Sequence, residues 1–389
     1  MKILIATDTY YPSVNGAAYF TYRLANTLVK KGHEIFVICP SKSFKNTITK
    51  DKGVTIYGIR SLHIPVYKNF RVSPLIFSKK TIYKTVKEIF PDVVHIQNHF
   101  LIGKRTAIVA KKLSIPVVGT NHFMPENLVH YFHLPKIAEA WLQKFGWKQC
   151  VDVFERLDLV TTPTETAKEL LKKAGFSKEI LALSCGIDLV RFKPTNDGSY
   201  LKQRYEIPIN KAVLLYVGRM DKEKRVEVIL HALLEILRTN NVHLILAGIG
   251  EEKLKLETLS EKLGIQKSVT FTGFVPDEDL QNIYRVADIF VIAGIAELQS
   301  IVTMEAMASG LPIVAVNTMA LPELVHDGKN GFLFPIDDSY TLAQKVTIIL
   351  SDRGLQKKMS EESLEIIKVH DMNKIIKRYE SIYHEVTNQ

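Results

Sequence analysis

Glu297-Leu-Gln-Ser-Ile-Val-Thr-Met-Glu305 places two carboxylates eight positions apart, directly after Asp288 to Ile292, a short apolar run with the composition of a buried strand. The stretch reads as strand, short loop, helix. At such a junction the first turn of the helix offers free backbone N–H groups and a positive dipole end to a phosphate. The carboxylates can then accept hydrogen bonds from hydroxyls on either side. Glu305 is enclosed by Met304, Ala306, Met307 and Ala308 and followed by Gly310-Leu-Pro312-Ile-Val, so the helix is expected to be buried on most sides. A buried carboxylate needs partners.

Outward from this stretch, short apolar strands alternate with amphipathic helical segments, the pattern of a parallel sheet with helices on both faces. Strands are expected at Lys2–Ala6, Glu34–Cys39, Val93–Ile96, Pro116–Thr120, Leu159–Thr162 and Ile180–Leu183. A second series follows at Val213–Val217, His243–Ala247, Val269–Thr272, Ile289–Ile292 and Ile313–Val316. Between them lies Asp188-Leu-Val-Arg-Phe-Lys-Pro194-Thr-Asn-Asp-Gly198, an irregular connection. The chain therefore reads as α/β, with two Rossmann-like doubly wound domains, residues 1–190 and 191–370. A last helix, 371–389, begins at an Asp cap. Ligands of such sheets bind outside the carboxyl ends of the strands, so a cleft between the domains is the expected site.

A second motif, Gly218-Arg219-Met-Asp-Lys-Glu-Lys224, follows the strand Val213–Val217. A solvated charge run is the bland explanation for its cations, and it suits Lys222 and Arg225. Arg219 directly follows a strand and a glycine, where a side chain points toward the sheet's carboxyl end. Its fork suits phosphate oxygens, and Lys224 adds a mobile point charge. A third loop, Asp8-Thr-Tyr-Tyr-Pro12-Ser-Val-Asn15-Gly16-Ala17-Ala18, joins the first strand to the first helix, with Gly16 allowing close backbone approach. Two cations for a diphosphate and two carboxylates for sugar and ribose hydroxyls form a donor site.

Together these motifs resemble the retaining glycosyltransferases of family 4, which have the GT-B fold, over almost the whole chain. The resemblance implies that Arg219 and Lys224 neutralise the donor diphosphate, that Glu297 contacts the transferred sugar and that Glu305 holds the ribose hydroxyls. It implies further donor contacts at Gly16, Gly218, Gly250, Val275, Ser300, Ile301 and Val302, the last two through backbone N–H groups. It makes His122, in Thr120-Asn121-His122-Phe123, a catalytic-site residue beside the donor sugar, and it sends the final helix back onto the N-terminal domain. Two positions depart from the family pattern: Asn15 replaces the first of paired glycines, and Ser300 replaces a glycine. The stretch Asn121 to His130, with Glu126 and Asn127, is similar to the branch that glycosylates diacylglycerol. His95 and His99 around Gln97 and Asn98 are candidate acceptor-side contacts. The implied reaction is transfer of a hexose from a nucleotide sugar, of the UDP-glucose or GDP-mannose type, to a lipid or carbohydrate hydroxyl. It requires no cofactor and no metal. Asp277-Glu-Asp279 spells a metal-binding pattern but follows Pro276 and reads as an acidic first helical turn.

The chain's 46% apolar and 24% charged content is that of a globular protein. Cys39, Cys150 and Cys185 are odd in number and widely spaced, which indicates neither a disulfide framework nor a metal cluster. The N-terminus lacks the long apolar region of a signal peptide. Residues 1–190 hold 27 Lys+Arg against 14 Asp+Glu, the remainder 24 against 27. A basic first half is expected to meet an anionic surface. Lipid is favoured over nucleic acid, because no nucleic-acid module is present and cations are mixed with apolar anchors in two stretches. One combines Tyr67, Lys68, Phe70 and Arg71 with Lys80, Lys84 and Lys87, and sets Ile82, Val86 and Ile89 on another side; the other aligns Ile137, Trp141 and Phe145. Stripes of this spacing are more often core than membrane contact, and it is the division of charge that makes an interfacial surface credible here. The expected location is cytoplasmic, peripheral on the inner face of the cell membrane.

Overall fold

A computed structural model describes residues 1–13, 15–63, 71–126 and 135–388. Tyr67, Lys68, Phe70, Asn127 and His130 lie outside the described residues. The chain divides into two compact units, the first comprising Met1–Gly186 with Asn373–Gln389, the second Ile187–Met372. The junctions fall at 186/187 and 372/373, where the sequence reading set 190/191 and 370/371.

The first unit contains β1 (Lys2–Ala6), β2 (Glu34–Pro40), β3 (Thr47–Asp51), β4 (Val54–Ile59), β5 (Leu62–His63), β6 (Arg71–Val72), β7 (Val93–Ile96), β8 (Val117–Thr120), β9 (Leu159–Thr162) and β10 (Ile180–Ala182). Eight of them form one sheet in the order β10-β9-β8-β7-β1-β2-β4-β3, parallel except for β3, which pairs antiparallel with β4. β1, β7 and β8 read as near-continuous Val and Ile because helices cover both faces of a parallel sheet. The hairpin β3–β4 was not anticipated. Val54-Thr-Ile-Tyr-Gly-Ile carries a β-branched signal interrupted by Gly58, whereas β3, Thr47-Ile-Thr-Lys-Asp, is exposed along most of its length.

Ile82, Val86 and Ile89 are buried along the helix Leu75–Ile89, so that stripe belongs to the core. The stripe on helix Lys136–Phe154 does not: Ile137, Trp141 and Phe145 are all exposed, and the last two rings stack at 5.5 Å. The C-terminal helix Met372–Thr387 belongs with this unit from Asn373 onward. Tyr379 and Tyr383 are fully buried against it, and the Tyr383 hydroxyl lies 2.8 Å from His95 Nδ1. Glu380 on the same helix pairs with Lys31 at 2.7 Å and His33 at 2.9 Å.

The second unit has one parallel sheet of β11 (Ala212–Val217), β12 (Val242–Ala247), β13 (Val269–Gly273), β14 (Ile289–Ile292), β15 (Ile313–Val316) and β16 (Gly331–Phe334). Its order is β13-β12-β11-β14-β15-β16, the doubly wound arrangement of a nucleotide-binding sheet. β16 was missed: its four residues, Gly-Phe-Leu-Phe, follow His326-Asp-Gly-Lys-Asn330 and lack β-branched side chains. Among the described residues, no helix is long and apolar enough to cross a membrane.

Candidate active site

In the second unit the strand order reverses between β11 and β14, and ligands of open parallel sheets bind outside the carboxyl ends of the strands at that point. The turn after β11 holds Gly218, Arg219 and Lys224; the loop after β14 holds Glu297 and enters the helix Ile301–Ala308. The two connections are joined by a hydrogen bond from the Ile295 N–H to the Glu223 carbonyl, 3.0 Å. Lys224 Nζ donates to Glu297 Oε1 at 2.7 Å. Two motifs 73 residues apart become one ion pair, with only 16% and 12% of the side chains exposed. Among the described residues no hydrogen bond reaches Glu297 Oε2, which is open to another donor.

Arg219 is held by carboxylates that the sequence reading did not assign. Its Nη2 donates to Glu223 Oε1 at 2.9 Å, its Nη1 pairs with Asp221, and both acids are buried. Their positions, two and four after Arg219 in a turn, were a legible signal. With Glu297 they bring three negative charges to two positive ones, so Arg219 and Lys224 are oriented cations rather than a bare basic patch. A guanidinium has five N–H donors and an ammonium three, so each keeps capacity for phosphate oxygens.

Gly218 and Gly250 lie where the turns after β11 and β12 cross. Gly218 (φ +155°) donates to Ala247 O at 3.0 Å, and a Cβ on the intervening Gly248 (φ +151°) would lie 1.8 Å from the Gly218 carbonyl oxygen. A Cβ on Gly250 would lie 2.3 Å from the Met220 backbone. These glycines let backbone pack on backbone. Val275 is buried in the core of the unit beside exposed Phe274.

Ser300 caps the helix Ile301–Ala308: its hydroxyl oxygen accepts from the Thr303 N–H at 3.4 Å and from the Thr303 hydroxyl at 2.8 Å. The departure from glycine therefore supplies an N-cap. The Ile301 and Val302 amides stand ahead of it in the open first turn. Glu305, buried in this helix, accepts from the Tyr284 hydroxyl at 2.7 Å. Asp277 and Asp279 are engaged elsewhere, the first by Arg191 at 3.0 Å, the second by Arg204 and Tyr200.

In the first unit the switch point lies between β1 and β7. Gly16 starts the helix Gly16–Lys30, and Asn15 caps it by accepting from the Ala18 N–H at 2.9 Å. Asp8, at the end of β1, crosses to the first turn of the helix Leu101–Lys112 and accepts from Ile102 N–H (3.0 Å) and Gly103 N–H (3.2 Å). Burial outweighs these bonds and pushes the Asp8 carboxyl up to about 6.

His122 follows β8, half-buried against Phe20. One ring nitrogen, Nε2, lies 3.0 Å from Gln97 Oε1 and the other, Nδ1, 3.8 Å from the Cys185 sulfur. Burial pushes its pKa down to about 3, so the ring is neutral at physiological pH. With Nε2–H donating to Gln97 and Nδ1 facing Cys185, both nitrogens are occupied within the unit. Gln97 had no role in the sequence reading, which took the flanking His95 and His99 as candidate acceptor-side contacts. His95 proves to be a fully buried tie between β8 and the C-terminal helix, through Thr120 at 2.7 Å and Tyr383. His99 sits among Phe100, Phe123 and Phe154.

Comparison with known proteins decides the family. A model described as glycosyltransferase family 4 matches residues 14–191, and one described as glycosyl transferases group 1 matches residues 200–365. The alpha-monoglucosyldiacylglycerol synthase of Streptococcus pneumoniae is 30% identical over 345 residues, which are 86% of this chain and 75% of that protein. The chain belongs to the family 4 glycosyltransferases. It is an enzyme of the GT-B fold. The structure of HepE from Anabaena in complex with UDP-glucose superposes with a TM-score of 0.79 at 20% identity, covering 99% of this chain and 100% of that one. A GDP-mannose-dependent alpha-mannosyltransferase of Corynebacterium glutamicum is 25% identical, over 90% of this chain and 81% of that protein. In this glycosyltransferase the residues singled out from sequence fall into two groups. His122 and Gly16 belong to the first unit; Arg219, Lys224, Glu297, Glu305 and the helix-end amides belong to the second.

Proposed function

We propose that this glycosyltransferase moves glucose from UDP-glucose to a hydroxyl of diacylglycerol, with retention at the anomeric carbon, at an anionic membrane surface. The observation that carries the transfer chemistry is the Lys224–Glu297 pair at the switch point of the second unit, beside Arg219 and the first turn of the helix Ile301–Ala308. Arg219, Lys224 and the Ile301 and Val302 amides neutralise the diphosphate and its growing charge as the glycosidic bond opens. Glu297 Oε2 accepts a hydroxyl of the transferred sugar, and Glu305 accepts those of the ribose. The acceptor hydroxyl attacks from the face that the diphosphate leaves, and its proton passes to the departing phosphate oxygen. Charge on the leaving group is thus balanced by the chain's own cations, and the step as written calls on neither metal nor cofactor.

The lipid acceptor is supported by the diacylglycerol glycosyltransferase relative and by the surface of the first unit. That unit carries 30 Lys+Arg against 15 Asp+Glu, and its helix Lys136–Phe154 presents Ile137, Trp141 and Phe145 to solvent beside Lys136, Lys144 and Lys148. Apolar anchors flanked by cations suit the headgroup region of an anionic bilayer, on the cytoplasmic face where such lipids are found. A second reading, transfer of mannose from GDP-mannose, is favoured by the mannosyltransferase relative and uses the same groups.

Product formation by the purified protein tests the proposal. UDP-glucose, UDP-galactose and GDP-mannose are each offered with diacylglycerol in phosphatidylglycerol vesicles, without added metal. A glucolipid from UDP-glucose alone is the expected outcome; a mannolipid from GDP-mannose moves the donor to the second reading. Donor turnover without any glycolipid would remove the lipid acceptor.

A further inference from the structure

A groove of about 220 Å³ runs between the helices Leu75–Ile89 and Leu101–Lys112 of the first unit. Lys79, Lys80, Arg105 and Lys112 line it, with Tyr83 and Ile108. None of the four cations forms an ion pair among the described residues, although Lys84 on the same helix pairs with Glu88 and the neighbouring Lys111 pairs with Asp158. Arg105 is half-buried, and its Nε is enclosed without a hydrogen-bond partner. Four like charges around one small concavity repel one another unless an anion lies between them, and a partly desolvated guanidinium without an acceptor adds to that cost.

We infer that this groove is a binding site for a phosphate group, separate from the donor residues of the second unit. A tetrahedral oxyanion would accept from the Arg105 fork and from the lysine ammonium groups, with Tyr83 and Ile108 against its organic substituent. Ile76 and Tyr83, both exposed, share the helix face that carries Lys79 and Lys80, one turn to either side. That face suits a phosphodiester presented by a lipid headgroup; a free phosphate or phosphomonoester offers the same chemistry without the membrane.

The experiment compares the intact protein with Lys80→Gln/Lys112→Gln, both at exposed positions, and with Arg105→Gln. A control, Lys50→Gln/Lys172→Gln, removes the same charge elsewhere on the unit. Inorganic phosphate, glycerol 1-phosphate and phosphatidylglycerol vesicles are each titrated at constant ionic strength, with phosphatidylcholine vesicles as blank. The groove variants should weaken binding on the order of tenfold, and the control by less than about twofold. Groove-dependent binding of inorganic phosphate or glycerol 1-phosphate assigns a soluble anion; groove-dependent binding confined to vesicles assigns the lipid headgroup. Equal losses in groove and control variants, or saturation by no probe, would overturn the site. The Arg105→Gln variant guards against a local folding defect, because its unfolding temperature is read beside the lysine pair.

Discussion

Lys224 and Glu297 form an enclosed pair, and removing one partner strands the other charge. Glu297→Ala is expected to lower kcat by roughly 10²- to 10³-fold, the usual cost of a lost charge-stabilising contact. Donor affinity should fall less. Steady-state kinetics check this, and a variant with unchanged kcat would take Glu297 out of the chemistry. Asp8 supplies a prediction of a different kind. Its folded pKa of about 6 stands above the ordinary 3.8, so the native state holds its proton more tightly. The stability this contributes is fully present below about pH 4 and is lost as pH rises through 6. Unfolding free energy of the wild type relative to Asp8→Asn should therefore decline between pH 4 and 6 and then level off. A flat difference would show that the two amide bonds offset the burial. Residue types alone did not reveal this: the sequence reading gave Asp8 no role, and only the arrival of the helix Leu101–Lys112 gives it buried partners.

Elements set the next scale of argument. The turns after β11 and β12 cross through Gly218 and Gly248, and a methyl at 248 has no space and an unsuitable φ. Gly248→Ala should cost roughly 3 kcal/mol in chemical denaturation. It should also weaken donor binding, because the crossing fixes the turn that carries Arg219. The C-terminal helix is held by a buried hydrogen bond and by more exposed ion pairs, and magnitudes decide between them. Tyr383→Phe leaves His95 Nδ1 buried without its partner and should cost about 1–3 kcal/mol. Glu380→Gln breaks a partly exposed pair and should cost under about 1 kcal/mol. A larger loss for Glu380→Gln than for Tyr383→Phe in thermal unfolding would show that the ion pairs, not the tyrosine, hold the helix. Ser300 and Asn15 also belong to this scale. Both looked like departures from a glycine pattern, and both cap the helices they precede.

At the scale of the whole molecule, charge is divided between the units: 30 Lys+Arg against 15 Asp+Glu in the first, 21 against 26 in the second. Vesicle binding should therefore reside in the first unit's surface and weaken as salt rises from 0.05 to 0.5 M, since exposed charges are screened over roughly 10 Å at 0.1 M. Binding insensitive to salt would leave only the apolar anchors. The sequence by itself determined the two doubly wound sheets, because alternation of buried strands and amphipathic helices is a local signal repeated along the chain. It determined the family too, through motifs that are contiguous in the chain. β3, β4 and β16 escaped it: β3 is an exposed edge strand, the β-branched run of β4 is broken by Gly58, and β16 is four residues without a β-branched side chain. Only the tertiary structure decided which apolar stripe is core and which faces solvent, since both recur at helical intervals of three or four residues. Only it joined Lys224 to Glu297 and turned His95 into a tie for the last helix. Those are contacts between residues far apart in the chain, and they exist only once strand order has brought the connections together.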